Sequence, residues 1–431
     1  MSATLNIGLA GLGNVGAGVF KNLQRNADLL EERSGHKIAV RRVVVRDPAK
    51  VRDVEVPREL ITTDWRVLVN DPDIQVIVEL MGGTQTAFDL VKGALEAGKA
   101  VVTGNKALLA EHGHELIALA EKKDVPLYFE AAVAGGIPII KSVREGLVGN
   151  HIQAIFGIIN GTSNFILTQM GRLGMGYRDA LAEAQRLGYA EADPTLDVNG
   201  WDAAHKAIVL AWLSYGLWVR PSQIFVDGIE SVSLADMKLA AKMGYAIKLL
   251  AVIRLHEDRR IEVRVQPTLI PSGHILASVS GVYNAVVVRG DVVGETLFYG
   301  SGAGQNATSS AVIADLVDAA HNMGSGCQGF LPSGFYGEAI PLEDTVSPYY
   351  VRLRVEDRPG VLAQVAQTIA DHGIGLSSIQ QPEVEEGGQA DIMLMMHAAP
   401  FGKMRAALET LKNLSCVVEK PILMRVENFP L

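Results

Sequence analysis

The sequence predicts an α/β chain with three parts: a doubly wound parallel sheet, a mixed α+β middle, and a small ferredoxin-like tail. Three observations predict it. Short buried strands alternate with helical stretches from Leu5 to Thr103. A glycine triplet, Gly11-Leu-Gly13-Asn14-Val15-Gly16, falls between the first strand and the first helix. From Tyr349 onward, the hydrophobic pattern changes period in the order β-α-β-β-α-β.

Leu5–Ala10 reads as a short buried strand, and Ala17–Leu23 continues as a helix. The triplet between them therefore has the strand–turn–helix context of a Rossmann-type dinucleotide site. Gly11 permits the tight turn, Gly13 lets backbone approach a pyrophosphate, and Gly16 allows close packing of the helix. Asn14 and Val15 sit at the helix start, whose free N–H groups favour phosphate.

The next strand, Ile38–Val45, ends at Arg46-Asp47, with Lys50 close behind. A carboxylate at this strand end holds ribose hydroxyls, whereas an arginine suits a 2′-phosphate. The order of residues favours NADP(H), and Asp47 keeps NAD(H) open. Strands at Val76–Leu80 and Ala100–Thr103 flank a helix from Thr84 to Ala97, stopped by Gly98. Ligands bind beyond the carboxyl ends of such strands. That places Gly82, Thr84, Thr103 and Lys106 on the cofactor side.

The middle opens with Ala131–Pro138, a small-residue turn leading into a helix through Val143 and Leu147. A strand, His151–Ile159, ends in Asn160-Gly-Thr-Ser-Asn164. Strand-like runs recur at Ile261–Val265 and Ala285–Arg289. Gly300–Thr308, with Gly302 and Gly304, opens a helix over Ser309–Ala320 that is expected to return to the first domain.

The densest chemistry lies in Glu191–Lys206, which holds Glu191, Asp193, Asp197, Asp202 and Lys206. Asp202 and Lys206 are four apart and share a helix face. Carboxylates gathered before a helix, with a lysine on its first turns, suit a small cationic substrate that needs proton transfer. Read alone, the same residues make a solvated acidic loop and a surface ion pair.

Length and charge narrow the function. At 431 residues and 48% hydrophobic content, two or three domains are expected. A formal net charge of −9 and a pI near 5.6 argue against nucleic acid as partner. Cys327 and Cys416 match no metal spacing and indicate a reducing compartment. No apolar stretch reads as a signal peptide or a membrane span, so the expected location is cytoplasmic. The domains are read as 1–130 for the nucleotide (completed by a returning helix near 305–322), 131–323 for catalysis and dimerisation, a 324–346 linker, and 347–431 for regulation.

The chain resembles homoserine dehydrogenases of the monofunctional bacterial type with a carboxyl-terminal ACT domain. The resemblance rests on Gly11–Gly16, Val102–Leu108, Glu130–Pro138, Asn160–Asn164, Gly188–Lys206 and the tail's Asp357–Ala363. It runs essentially end to end. It implies reversible NAD(P)-dependent interconversion of L-aspartate 4-semialdehyde and L-homoserine, in threonine, methionine and isoleucine biosynthesis. It implies Lys206 as proton donor and acceptor and Lys106 as second essential lysine. A lysine is a poor base unless its pKa falls; a second ammonium would lower it, and Asp202 would pull the other way. Glu191 and Asp197 match carboxylates facing the substrate amino group, and Gly188 belongs to the same loop.

The resemblance further implies a monovalent cation, Na⁺ or K⁺, at Glu130 and the carbonyls of Val133, Gly135 and Ile137. It implies an amino-acid effector at the turn Asp357–Gly360, threonine first among candidates, and a homodimer or homotetramer. One departure is Gly104, where the family often has alanine. Removing the tail near Thr345 is expected to spare catalysis and abolish the effector response. A phosphoglycerate dehydrogenase type would need a catalytic His–Glu pair, and an aspartate-semialdehyde dehydrogenase a nucleophilic cysteine; neither set is evident. A non-catalytic amino-acid sensor would not need both lysines.

Overall fold

The computed structural model describes residues 3–323, 335–381 and 388–429. They form two compact units, each built from separated stretches. One comprises Met1–Ile159, His205–Pro221 and Tyr283–Tyr336; the other comprises Asn160–Ala204, Ser222–Val282 and Gly337–Leu431.

The first unit begins with β1 (Ala3–Ala10), α1 (Asn14–Arg25), α2 (Ala27–Ser34), β2 (His36–Val44) and β3 (Ile61–Thr62). Then come α3 (Arg66–Asn70), β4 (Val76–Glu79), α4 (Gln85–Glu96), β5 (Ala100–Thr103), α5 (Lys106–Lys123) and β6 (Leu127–Tyr128). The strands make one parallel sheet in the order β3-β2-β1-β4-β5-β6. The order reverses direction beside β1, the topological switch where such sheets bind ligands. Val76-Ile-Val is buried on both faces, as a central parallel strand requires. The glycine turn from Gly11 to Gly13 leads straight into α1.

The returning helix spans Gln305–His321, against the helical run Ser309–Ala320 and the wider 305–322 expected for the return. Gly304 has φ +115° and ends the glycine run, so the helix begins as soon as side chains permit it. Val312 and Leu316 from this helix join Leu5, Ile7, Val19 and Phe20 in one core. Asn22 Nδ2 also donates to Ser309 Oγ at 2.8 Å. Three further strands, Ile152–Ile158, Tyr283–Gly290 and Gly294–Ser301, pair antiparallel. The last escaped the sequence reading because Gly294, Thr296 and Gly300 dilute its alternation.

In the second unit, strands Tyr245–Leu255 and Ile261–Pro271 form a long antiparallel ladder. The carboxyl-terminal strand Ile422–Val426 then pairs parallel with Ile261–Pro271 at Thr268–Arg425 and Leu269–Val426. Val346–Glu356, Gln389–Pro400 and Leu376–Gln380 follow in that order. Helices Val361–Asp371 and Phe401–Lys412 cover this part, burying Val365, Ile369, Met404 and Leu411 over Val351, Leu353 and Leu394. The tail therefore has the expected β-α-β-β-α-β order, yet it extends a sheet rather than hanging from a tether.

Two details tie it further. Asp236, fully buried, accepts from Tyr350 Oη at 2.7 Å and Arg352 Nε at 2.8 Å, while its second oxygen caps helix Leu234–Lys242. Of the expected linker, residues 324–334 lie outside the described residues, as does Cys327. Its later part is docked: Gly337 N donates to Arg259 O at 2.9 Å, and Ala339 bridges to Ile261. This attachment bears on the expectation that cutting the tail near Thr345 spares catalysis. The cut removes a sheet neighbour of Ile261–Pro271 and the partners of buried charges.

Candidate active site

The glycines of the first turn have different surroundings. Gly11 has φ +100°, and a Cβ there would lie 2.4 Å from Leu80 O. A Cβ on Gly16 would lie 2.1 Å from Gly11 O, so this glycine packs α1 on its own turn rather than on the strand. Nothing lies within 4 Å of the Cβ position at Gly13, which leaves that backbone open to a pyrophosphate.

A cleft of about 820 Å³ opens here, lined by Gly11, Gly13, Arg46, Lys50, Gly82 and Thr84 among others. Asp47 also lines it, but its Oδ1 accepts from Ala49 N at 2.8 Å. Sequence reasoning missed Arg52. Its guanidinium donates to Asp47 O and Lys50 O, both at 2.7 Å, and so folds the loop that presents Arg46 and Lys50.

Behind the cleft, Glu79 is fully buried and burial pushes its carboxyl up. Thr103 Oγ1 donates to it at 2.6 Å and accepts from Asn105 N at 3.1 Å. Thr103 was expected on the cofactor side; its hydroxyl is instead spent on this chain. Asn105 in turn caps α5, accepting from Leu108 N at 3.1 Å, and donates to Gly83 O at 2.7 Å. Lys106 is thus not a loop residue but the first residue of an 18-residue helix, held in place by a buried relay.

Lys206 lies on helix Trp201–Tyr215 and is buried, with Nζ donating to Ile159 O at 2.7 Å. A lysine kept this dry is not a solvated surface charge. Asp202 is one turn earlier on the same helix and is also buried.

In the second unit, Asn160 organises the carboxylates. Its Nδ2 donates to Asp197 Oδ1 at 2.7 Å and to Asp202 Oδ2 at 2.8 Å. Its Oδ1 accepts from Ser163 N at 2.7 Å, capping helix Gly161–Leu173. The Asn-Gly-Thr-Ser motif was visible in the sequence; its grip on two distant aspartates was not. Asp193 is spent locally, on Thr195 Oγ1 at 2.5 Å and Thr195 N at 3.1 Å. Glu191 is exposed, and Gly188 turns the loop with φ +74°. The four carboxylates therefore divide into a structural one, a gathered pair and an exposed one.

The turn after Glu130 has an unusual backbone. Ala134 and Gly135 both have positive φ, 56° and 54°. Among the described residues, the carbonyls of Val133 and Gly135 accept no hydrogen bond, while Ile137 O accepts from Ile139 N at 2.8 Å. Glu130 is buried, and its carboxylate accepts from Ile140 N at 2.9 Å and Lys141 N at 2.7 Å. Among the described residues, no cluster of three or more His, Cys, Asp or Glu side chains is arranged for a metal. Any cation here would be held by carbonyls, the hard donors an alkali ion prefers.

In the tail, Gly360 has φ +90° and starts helix Val361–Asp371. A hollow of about 400 Å³ is lined by Asp357, Arg358, Gly360 and Gln381, and Gln381 Nε2 donates to Asp357 Oδ1 at 3.2 Å.

A switch-point glycine cradle and a βαββαβ tail mark a nicotinamide-dependent oxidoreductase with a carboxyl-terminal regulatory unit. Comparison with known proteins agrees. Residues 11–130 match the homoserine dehydrogenase NAD-binding domain, 138–317 the homoserine dehydrogenase domain, and 349–416 the ACT domain. Homoserine dehydrogenase of Pseudomonas aeruginosa is 45% identical, over 98% of this chain and 99% of that one. The crystal structure of a homoserine dehydrogenase from Thiobacillus denitrificans superposes with a TM-score of 0.92 at 42% identity, covering 99% of this chain and 100% of that chain. A hyperthermophilic archaeal homoserine dehydrogenase in complex with NADPH gives a TM-score of 0.62 at 30% identity, covering 73% and 97%. The chain belongs to the homoserine dehydrogenase family. Among the described residues, no helix is long and apolar enough to cross a membrane.

Proposed function

We propose that the chain interconverts L-homoserine and L-aspartate 4-semialdehyde with NADP(H) preferred over NAD(H). The observation that carries this is the pairing on one helix of Lys206, buried and anchored, with Asp202, gathered to Asp197 by Asn160. In the oxidising direction, the substrate hydroxyl gives its proton to Lys206 Nζ as hydride leaves the same carbon. A bound nicotinamide supplies the hydride acceptor. Asp197 and Glu191 face the substrate ammonium, with Asp202 held in reserve by Asn160 as the charge that steadies Lys206. Lys106, at the start of α5, neutralises the substrate's carboxylate end or the developing alkoxide.

Arg46 and Lys50 at the cleft supply cations for a 2′-phosphate, and the archaeal relative was solved with NADPH. The free carbonyls of Val133 and Gly135 support a Na⁺ or K⁺ site that stiffens the turn after Glu130. The strand Gly294–Ser301 exposes Leu297 and Tyr299 on one face, and Tyr299 stacks on the exposed Tyr283 at 5.2 Å between ring centres. An unpaired apolar edge of this kind supports a homo-oligomer. The hollow at Asp357–Gly360 supports an amino-acid effector, threonine first among candidates. The location that fits is the cytoplasm.

The test is initial-rate absorbance at the nicotinamide band with homoserine and each cofactor, for the parent and Arg46→Ala. NADP⁺ should be preferred, and the variant should lose NADP⁺ far more than NAD⁺. Equal losses would remove Arg46 from cofactor choice. No turnover of homoserine with either cofactor would reject the reading.

A further inference from the structure

In the first unit, a central strand of the parallel sheet ends in a carboxylate. Glu79 is the last residue of β4 and is fully buried. The register sets it level with Ala10, the last residue of β1, and with Thr103, the last of β5. Ala10 leads into the glycine turn at Gly11, and Thr103 leads to the helix start at Lys106. Glu79 therefore stands where the nucleotide turn and the lysine-bearing segment leave the sheet together. A buried carboxylate needs compensation, because burial penalises its charge. Hydrogen-bond donors, not a cation, supply it. Burial pushes the carboxyl up, and Thr103, Met81 N, the Asn105 side chain and Gly82 N pull it back.

The direction of each bond shows why this residue is an acid. Oε1 accepts from Met81 N at 2.8 Å, and a backbone N–H can only donate. Thr103 Oγ1 meets Oε2 at 2.6 Å. An ionised carboxylate only accepts, so that hydrogen is the threonine's. The hydroxyl keeps its lone pairs for Asn105 N, 3.1 Å away. Both carboxylate oxygens are thus needed as acceptors. A glutamine has a single acceptor oxygen and leaves one arm to reverse or break. The two arms lead to different places. Met81 opens the loop Met81–Thr84, which lines the nucleotide cleft. Asn105 caps α5 by accepting from Leu108 N at 3.1 Å, immediately ahead of Lys106. Its Nδ2 donates to Gly83 O at 2.7 Å and ties the two segments to each other.

We propose that Glu79 is a positioning residue for the reaction: one buried carboxylate holds the cofactor loop Met81–Thr84 and the helix start bearing Lys106 in a fixed relation. It acts through Met81 N and Thr103 Oγ1, not by contact with the reactants. This role rests on the reading that Lys106 serves the substrate. A merely structural acid would set the stability of the sheet and nothing more. A positioning acid makes each arm answer for a different step: the Met81 arm for cofactor affinity, the Thr103 arm for turnover. A misplacement of about 1 Å in such a group costs about 10²-fold in rate.

The test opens the arms separately in the full chain. Thr103→Val keeps the shape and breaks only the arm to Asn105; Thr103→Ser keeps the hydroxyl. Thr103→Val should lower kcat for homoserine about tenfold or more. Its Kd for NADPH, read from nucleotide fluorescence, should stay near the parent's, and amide exchange across residues 103–109 should quicken. Thr103→Ser should return all three towards the parent. Glu79→Gln disturbs the shared anchor and should raise the NADPH Kd and lower kcat together; it also reports should Thr103→Val not fold. Parent-like kcat and exchange in Thr103→Val overturn the proposal, as does a Glu79→Gln that binds NADPH and turns over like the parent. A Thr103→Val loss carried equally by the NADPH Kd overturns it, because the hydroxyl then serves the cofactor directly. Thr103→Ser as impaired as Thr103→Val overturns it too, because packing and not the hydrogen bond is then at fault. Should the parent itself not turn over homoserine, the proposed function fails, while exchange and NADPH affinity still decide whether Glu79 holds the two segments.

Discussion

Lys206 and Asn160 show what single residues contribute. Lys206 is buried against a carbonyl, so its amine has a fixed address. Lys206→Ala should lower kcat by about 10²–10⁴-fold, the range for a positioned acid–base group. A variant that folds and turns over within a few-fold of the parent would remove Lys206 from the chemistry. Lys206 and the acidic loop were legible in the sequence because their spacing is local, and Lys106 because it follows the end of a strand. Asn160's bridge to Asp197 and Asp202, and the Glu79–Thr103–Asn105 relay under Lys106, were not, because only folding brings those positions together. A third lysine, Lys248, was invisible for the same reason. It is buried, donates to Val279 O and Asn164 Oδ1, and burial, helped by Arg172, pushes its pKa down to about 8. Between about pH 8 and the unfolded value, the unfolded chain binds this proton and the folded chain does not. Its contribution therefore makes stability rise with pH across that window. Lys248→Met should lack that slope. Urea midpoints at neutral pH and near pH 9.5 measure it, and parallel changes in parent and variant would mean that the ammonium stays charged when folded.

At the scale of elements, the glycine turn was the most legible feature and the strand Gly294–Ser301 the least. Gly11–Gly16 declared itself because strand, turn and helix are contiguous. The returning helix, Gln305–His321, starts directly after the run from Gly300 to Gly304. Gly16 offers a sharp test. A Cβ there meets Gly11 O at 2.1 Å, backbone against backbone, so neither side can yield by a rotamer change. Gly16→Ala should raise the cofactor KM at least tenfold, with a smaller effect on the homoserine KM. Unchanged cofactor KM would show that the turn tolerates displacement. The strand Gly294–Ser301 teaches the opposite lesson: its glycines and exposed face hide a true strand from a reading based on hydrophobic alternation.

For the whole molecule, the tail's order of elements was legible but its attachment was not. Nothing in the run from Cys416 to Val426 announces that it pairs with a strand more than a hundred residues earlier. Ending the chain near Thr345 strips Arg264 of Glu427 and exposes the edge of Ile261–Pro271. Breaking a buried ion pair costs about 3–5 kcal/mol, so the truncated chain should be insoluble or inactive rather than merely unregulated. Soluble expression and specific activity of that truncation decide the point; a well-folded, active product would mean the tail is dispensable after all. Control by threonine is better tested with the tail in place. Asp357→Ala should keep turnover and shift inhibition to at least tenfold higher threonine. A parent that ignores millimolar threonine would end the feedback reading without touching the fold.

The late return of the carboxyl-terminal strand has a consequence for how the protein is made. Each unit is stitched from stretches far apart in the chain, and the second needs Glu427 to complete its buried charges. During synthesis, the ribosome must therefore finish almost the whole polypeptide before that unit can close. Until then Arg264 and its strand wait exposed, an invitation to chaperones and proteases. A stalled or prematurely terminated product would be recognised as incomplete and degraded. The cell would not be left holding a catalyst that had lost only its brake.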